Sequence, residues 1–175
     1  MRIAVTGGTG YLGAHTVSAL LRAGHQVVLL VHPSESVPAV VGMFDATPEA
    51  LAVSPGDIRD PKTVEALLDG CDAVLHAAGV VGTDNRREQL MWEVNVDATA
   101  TVLARATALG LDPIVHVASY SALFPSPDPV ITPDSPTAPG RSAYGRTKAA
   151  AAPIPPGGQG TGGPGGITNP TTLLG

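Results

Sequence analysis

The sequence predicts an α/β fold with a doubly wound, parallel sheet. Short apolar runs alternate with helical periods from Arg2 to about residue 150, the order that strand–helix–strand units with right-handed crossovers require. The run Gln26 to Val31 is continuously apolar and rich in β-branched residues, as a strand covered on both faces must be. At 175 residues the chain can bury one such core, and barely two small ones.

Arg2 to Thr6 reads as the first strand, followed by a glycine-rich turn. Leu12 to Ala23 places Leu12, Val17, Leu20 and Leu21 at helical spacing, and Gly24 stops it. After the strand Gln26 to Val31, the stretch Pro33 to Pro48 is irregular with room for a short helix, and Leu51 to Val53 is a third strand. Asp60 and Pro61 open a helix to Asp69, one as N-cap and the other as first helical residue, and Gly70 ends it. Ala73 to His76 is a fourth strand, Arg86 to Leu109 one long helical stretch, and Pro113 to Ala118 a fifth strand. Pro125 to Pro139 holds six prolines and must be a loop. Ser142 begins the next helix.

The net charge of −5 argues against nucleic acid as the main partner. Cys71 is the only cysteine, so neither an internal disulfide nor a cysteine cluster for a metal is possible. No apolar run approaches a membrane span, and the N-terminus breaks at glycines instead of continuing as a leader. The expectation is a cytoplasmic chain without membrane partners; oligomeric state is not legible.

Two patterns carry chemistry. Gly7, Gly10 and Gly13 follow a strand and precede a helix. Gly7 permits the tight turn, Gly10 lets the backbone approach a pyrophosphate, and Gly13 allows close helix–sheet packing. The helix N-terminus then offers free N–H groups to phosphates. Near the other end, Tyr144 and Lys148 stand four apart and share a helix face. An ammonium beside a phenol favours the phenolate and makes the phenol a usable acid. The plainer alternative is two polar residues on a solvated face. Lys62 is the only other lysine.

These residues resemble the extended short-chain dehydrogenase/reductase family, which contains nucleotide-sugar epimerases, dihydroflavonol reductases and 3β-hydroxysteroid dehydrogenases. Thr6 to Gly13 resembles its TGxxGxxG; Gly56-Asp57-Ile58-Arg59-Asp60 its GDxxD; His76-Ala77-Ala78-Gly79 the loop after the fourth strand; Asn95 to Thr99 its NVxGT; Val117-Ala118-Ser119 its VSS; and Tyr144 to Lys148 its YxxxK. Six motifs in order, over residues 1 to 150, imply a Rossmann-type domain. The resemblance implies NAD or NADP held by Gly7, Gly10, Tyr11, Leu12, Gly13, His32, Asp57, Ile58, Ala77, Ala78, Gly79, Asn95 and Lys148. It implies a site where Ser119 hydrogen-bonds a substrate oxygen, Tyr144 gives or takes its proton, and Lys148 holds the ribose and lowers the Tyr144 pKa. Ser121 rivals Ser119, which could instead cap backbone. Asp57 could be a turn residue and Asn95 a helix-surface amide. His76 and His116 read as structural.

An acid at the end of the second strand would bind the ribose of NAD, and an arginine there the 2′-phosphate of NADP. Val31 is instead followed by His32-Pro33-Ser34, with Glu35 three residues later. His32 and Ser34 can both donate to a phosphate, which gives NADP a slight edge.

Beyond residue 152 the pattern breaks. Pro153 to Gly166 has seven glycines and four prolines in fourteen residues and cannot be a helix. Ile167 to Pro170 resembles the end of the family's sixth strand, at about the spacing from Lys148 that the family requires. Normal length with abnormal content is what two compensating frameshifts would leave; a natural insertion is the alternative. The division is therefore 1–152 as dinucleotide-binding domain, 153–166 irregular, and 167–175 a remnant of strand and loop. The family's substrate-binding part would lie beyond Gly175. Two functions follow: an oxidoreductase or epimerase domain acting on a small carbonyl or alcohol substrate (a sugar nucleotide, steroid or other ketone), impaired in this chain, or a non-catalytic dinucleotide-binding protein such as a redox sensor or scaffold, or an inactive fragment.

Overall fold

The computed structural model describes residues 1–82, 85–126, 129–132, 135–138, 140–153 and 166–168. Among the described residues there are six strands: β1 (Arg2–Thr6), β2 (Gln26–Val31), β3 (Leu51–Pro55), β4 (Ala73–His76), β5 (Ile114–Val117) and β6 (Gly166–Thr168). They pair in parallel in the order β3-β2-β1-β4-β5-β6. The chain winds outward from β1 to β3, then returns to β4 on the other side of β1. Connections therefore leave β1 and β4 in opposite directions, and a crevice opens between the two loops.

Helices α1 (Tyr11–Arg22) and α2 (Val37–Val41) cover one face. Helices α3 (Pro61–Leu68), α4 (Glu88–Trp92) and α5 (Thr99–Ala108) lie toward the other. Val17 and Phe44 pack on β1 and β2 from the first side; Leu67, Val102 and Leu103 pack on β1, β4 and β5 from the second. All of β2 after Gln26 is buried, which is why its sequence is a run instead of an alternation. Asp60 caps α3 by accepting from the Lys62 N–H at 2.9 Å, with Pro61 in the first turn. Among the described residues no helix is long and apolar enough to cross a membrane.

The stretch Arg86 to Leu109 is not one regular helix. Between α4 and α5 the residues Glu93–Ala98 form a π-helical turn. Its apolar positions keep helical spacing on both sides, so the inserted residue leaves no trace in the pattern. Strand β3 runs two residues past Val53, and β6 begins at Gly166 beside Val115, one residue before the stretch that resembles a sixth strand. The irregular segment expected over 153–166 falls, for residues 154–165, outside the described residues. Finally, α6 (Ala143–Ala151) starts where Ser142 accepts the Gly145 N–H at 3.0 Å.

Candidate dinucleotide and hydride-transfer site

At the crevice, the turn after β1 meets the loop after β4. Gly7 has φ +71°, and a Cβ there would lie 2.5 Å from the Ala78 nitrogen. Only glycine lets the two loops touch. A Cβ on Gly13 would run into the Gly7 carbonyl, so Gly13 seats α1 on the turn. Gly10 differs: its Cβ would meet only the Gly7 oxygen, at 3.4 Å. The protein leaves that space open. It opens into a cleft of about 340 Å³ lined by Gly7, Gly10, His32, Asp57, Ile58, and Ala77 to Val80.

One end of the cleft is charged. His32, exposed at the end of β2, approaches Asp57 with Nε2 3.7 Å from Oδ2, and its Nδ1 pairs with the Ser34 hydroxyl at 2.7 Å. The turn after β2 closes by a Glu35 N–H to His32 carbonyl bond of 2.9 Å. That turn folds the Glu35 carboxylate back to accept from the His32 N–H at 3.2 Å, on the cleft wall. An acid therefore does stand at the end of β2, contrary to the linear reading. Arg59 forks onto Asp57 (2.6 and 3.1 Å) and reaches Glu93 at 2.9 Å. Its hydrogen bonds hold the Asp57 carboxyl down to about 2.

A second pocket of about 270 Å³ adjoins the first through Ala77 and Gly79, which line both. It is lined further by Leu12, Val117, Ser119, Tyr144 and Lys148. Ser119 follows β5 and caps the short turn Tyr120–Leu123. Its hydroxyl accepts from the Ser121 N–H at 3.2 Å and pairs with the Ser121 hydroxyl at 2.9 Å. Lys148 is 5% exposed and donates to the Val117 carbonyl at 3.2 Å. Among the described residues no carboxylate pairs with it, and burial pushes its pKa down to about 8.

Behind the pocket runs a buried polar chain. Thr6 Oγ1 accepts from the Ala78 N–H at 3.1 Å and meets His76 Nδ1 at 2.7 Å. His76 Nε2 meets the Thr99 hydroxyl at 2.8 Å, and Thr99 donates to the Asn95 carbonyl at 2.9 Å. Burial keeps His76 well below the usual imidazole pKa and His116, stacked on it at 5.2 Å, down to about 4. Both are buried framework residues in the sheet. Asn95 is fully buried in the π turn. Its Oδ1 accepts from the Val80 N–H at 2.7 Å, and its Nδ2 donates to the Val80 carbonyl at 3.0 Å and to Thr147 Oγ1 at 3.1 Å.

The sequence-derived residues thus fall into three groups. Gly7, Gly10, His32, Asp57, Ile58, Ala77, Ala78 and Gly79 line the first cleft; Leu12, Ser119, Tyr144 and Lys148 line the adjoining pocket with Ala77 and Gly79. Tyr11, Gly13 and Asn95 line neither: Tyr11 is 53% exposed with its ring edge-on to His15, Gly13 packs α1, and Asn95 braces two loops. Glu35, Arg59, Thr6, Thr99 and Thr147 were assigned no role from the sequence. Thr6, Arg59, Thr99 and Thr147 lie inside the recognised motifs, and Glu35 lies three residues past His32, but spacing alone does not show what their side chains meet.

The model of the NAD dependent epimerase/dehydratase family matches residues 3–154. The chain belongs to that family. It is similar to UDP-glucose 4-epimerase of Corynebacterium glutamicum, 35% identical over 153 residues, covering 85% of this chain and 44% of the relative. It is also similar to sterol demethylase protein B of Methylococcus capsulatus, 32% identical over 152 residues with the same coverage. Among solved structures, the dTDP-glucose 4,6-dehydratase DesIV of Streptomyces venezuelae, with NAD bound, superposes with a TM-score of 0.75 at 30% identity. That match covers 88% of this chain and 50% of the dehydratase. The chain spans about half the length of the relatives it matches.

Proposed function

We propose that the chain is the dinucleotide half of an NAD-using epimerase, dehydratase or reductase that moves hydride at a carbinol or carbonyl carbon of a sugar nucleotide or other small ketone. The observation that carries this is the continuity of the two pockets through Ala77 and Gly79, with Ser119, Tyr144 and Lys148 gathered in the second. When bound, the nicotinamide supplies the hydride acceptor or donor. The open space over Gly10 and the α1 N-terminus fit a pyrophosphate. Ser119 offers a hydroxyl to the substrate oxygen. Tyr144 exchanges the proton at that oxygen, and Lys148 places a cation on the same pocket wall one helical turn away. The sugar-nucleotide names of several relatives support that substrate class, and the charge of −5 with one cysteine supports a cytoplasmic, nucleic-acid-free setting.

For the cofactor, the Glu35 carboxylate beside the His32 N–H favours NAD over NADP, because a carboxylate accepts from a ribose hydroxyl and repels a 2′-phosphate. This reverses the edge that His32 and Ser34 gave NADP in the linear sequence. A second reading, a non-catalytic dinucleotide binder, draws on the Ser119–Ser121 hydroxyl pair, which occupies the substrate's partner, and on the Gly/Pro composition after Ala152.

Titration of NAD and NADP, followed by incubation with UDP-galactose, dTDP-glucose and a ketone panel beside a Tyr144→Phe control, tests the proposal. NAD binding with turnover lost in the control is the expected outcome. Dinucleotide binding without any turnover would favour the second reading, and no dinucleotide binding would sink both.

A further inference from the structure

We propose that Thr147 is a positioning residue for this site: its buried hydroxyl, held by Asn95, locks α6 to the wall of the dinucleotide cleft at Val80 and so fixes Tyr144 and Lys148 against the cofactor. The inference rests on the functional reading above.

Asn95 grips both backbone groups of Val80, a residue of the cleft wall, at 2.7 and 3.0 Å. Its remaining amide proton goes to Thr147 Oγ1 at 3.1 Å. Thr147 passes its own proton to the Tyr144 carbonyl at 2.9 Å. One fully buried side chain therefore ties the loop after β4 to the helix turn that carries Tyr144 and Lys148. The π turn Glu93–Ala98 is what makes the grip possible. Its extra residue turns the segment before it relative to α5, so Asn95 can face Val80 while Ala98 and Val102 remain in the core. An interior threonine is a poor helix former and back-bonds to its own turn; here that bond and the Asn95 bond meet on one oxygen. Nearby serines and threonines do other work: Ser142 caps α6, and Thr99 ends the His76 chain.

Lys148, next in sequence, reports on the brace. It faces His76 and His116 from β4 and β5, both kept neutral near pH 7 by burial, and Tyr144 from its own helix. The chain has only two lysines, so protein labelled with ¹³C at lysine Cε gives two lysine signals, and Lys62→Arg assigns them. The experiment titrates this signal by pH in the free protein, then with NADH at fixed pH, in wild type, Thr147→Val and Thr147→Ser. Valine keeps the volume and removes the hydroxyl; serine keeps the hydroxyl. In Thr147→Val the Lys148 midpoint should rise from about 8 by roughly one unit, as the ammonium loosens from the Val117 carbonyl and meets water. Thr147→Ser should restore it. NADH should move the Lys148 signal in wild type and Thr147→Ser, and move it much less in Thr147→Val, while affinity stays within about threefold. A Thr147→Val protein with wild-type midpoint and wild-type NADH response overturns the proposal. So does an equal disturbance in Thr147→Val and Thr147→Ser, which would mark a packing effect. If Thr147→Val does not fold by circular dichroism, Thr147→Ala is read the same way. A wild type that binds no NADH sinks the functional reading, and the free-protein titration still decides whether the brace sets Lys148.

Discussion

Gly10 and Gly13 sit three residues apart, and a side chain would fail at each for a different reason. A Cβ on Gly13 collides with the Gly7 backbone, so Gly13→Val should displace α1 and destabilise the fold. A Cβ on Gly10 meets one oxygen at van der Waals distance, so Gly10→Val should fold normally and lose dinucleotide affinity by at least about 100-fold. Thermal melts and fluorescence titration with NADH separate the two, and equal NADH affinity in Gly10→Val would end the pyrophosphate assignment. Lys148 gives a second test. Its ammonium is charged at pH 7 in both folded and unfolded chains but is buried in the fold without a carboxylate, which disfavours folding. Between the folded value of about 8 and the ordinary 10.5, the unfolded chain holds more protons, so wild-type stability gains from this group as pH rises through that window. Lys148→Met lacks the cost and the gain. It should be more stable than wild type at pH 7 by up to about 3 kcal/mol, with the gap closing toward pH 10. Urea melts at pH 7 and pH 10 check it; a constant gap would mean that Lys148 does not titrate there. The glycines, Ser119, Tyr144 and Lys148 were legible because backbone space and spaced polar groups leave marks in sequence. Glu35 and Thr147 were not, because their work depends on how a turn folds back and which face a helix presents.

At the scale of elements, the strands and most helix ends could be read from runs, glycines and proline positions. Two features could not. The π turn adds one residue without breaking apolar spacing, and it decides where Asn95 points. The turn His32–Glu35 is short and polar, a surface loop by any linear rule, yet it returns a carboxylate to the cleft. Glu35→Gln keeps the length and removes the charge. It should weaken NAD binding severalfold, strengthen NADP binding, and shift the preference between them by about tenfold, or roughly 1.4 kcal/mol. Paired titrations with NAD and NADP measure it. Unchanged relative affinity would show that Glu35 does not face the ribose, and the choice would pass back to His32.

The whole molecule divides its labour along the chain. Among the described residues, those lining the first cleft all lie between Gly7 and Val94, whereas the adjoining pocket also draws on Val117 to Tyr120, Tyr144 and Lys148. On the proposed function, cofactor binding is built by the N-terminal part, and the chemistry borrows a wall from α6. The relatives carry somewhat more residues outside the matched region than within it. That arrangement predicts that binding and turnover separate. With NAD at about 100 times its Kd, the 175-residue chain should gain about 2.7 kcal/mol of stability, and its melting temperature should rise by roughly 5–10 °C. Turnover of UDP-galactose by the same preparation should be slight, because the Ser119 hydroxyl is already paired with Ser121 and the 175 residues span about half the length of the relatives. Joining residues 1–152 to an amphipathic helix and the second half of a sugar-nucleotide epimerase should leave the NAD affinity within about threefold and restore turnover. A chimera that binds NAD but stays inactive would place the defect in Ser119, Tyr144 or Lys148 instead of in the segment that was exchanged. Full turnover by the 175-residue chain alone would show that the two adjoining pockets suffice for the chemistry.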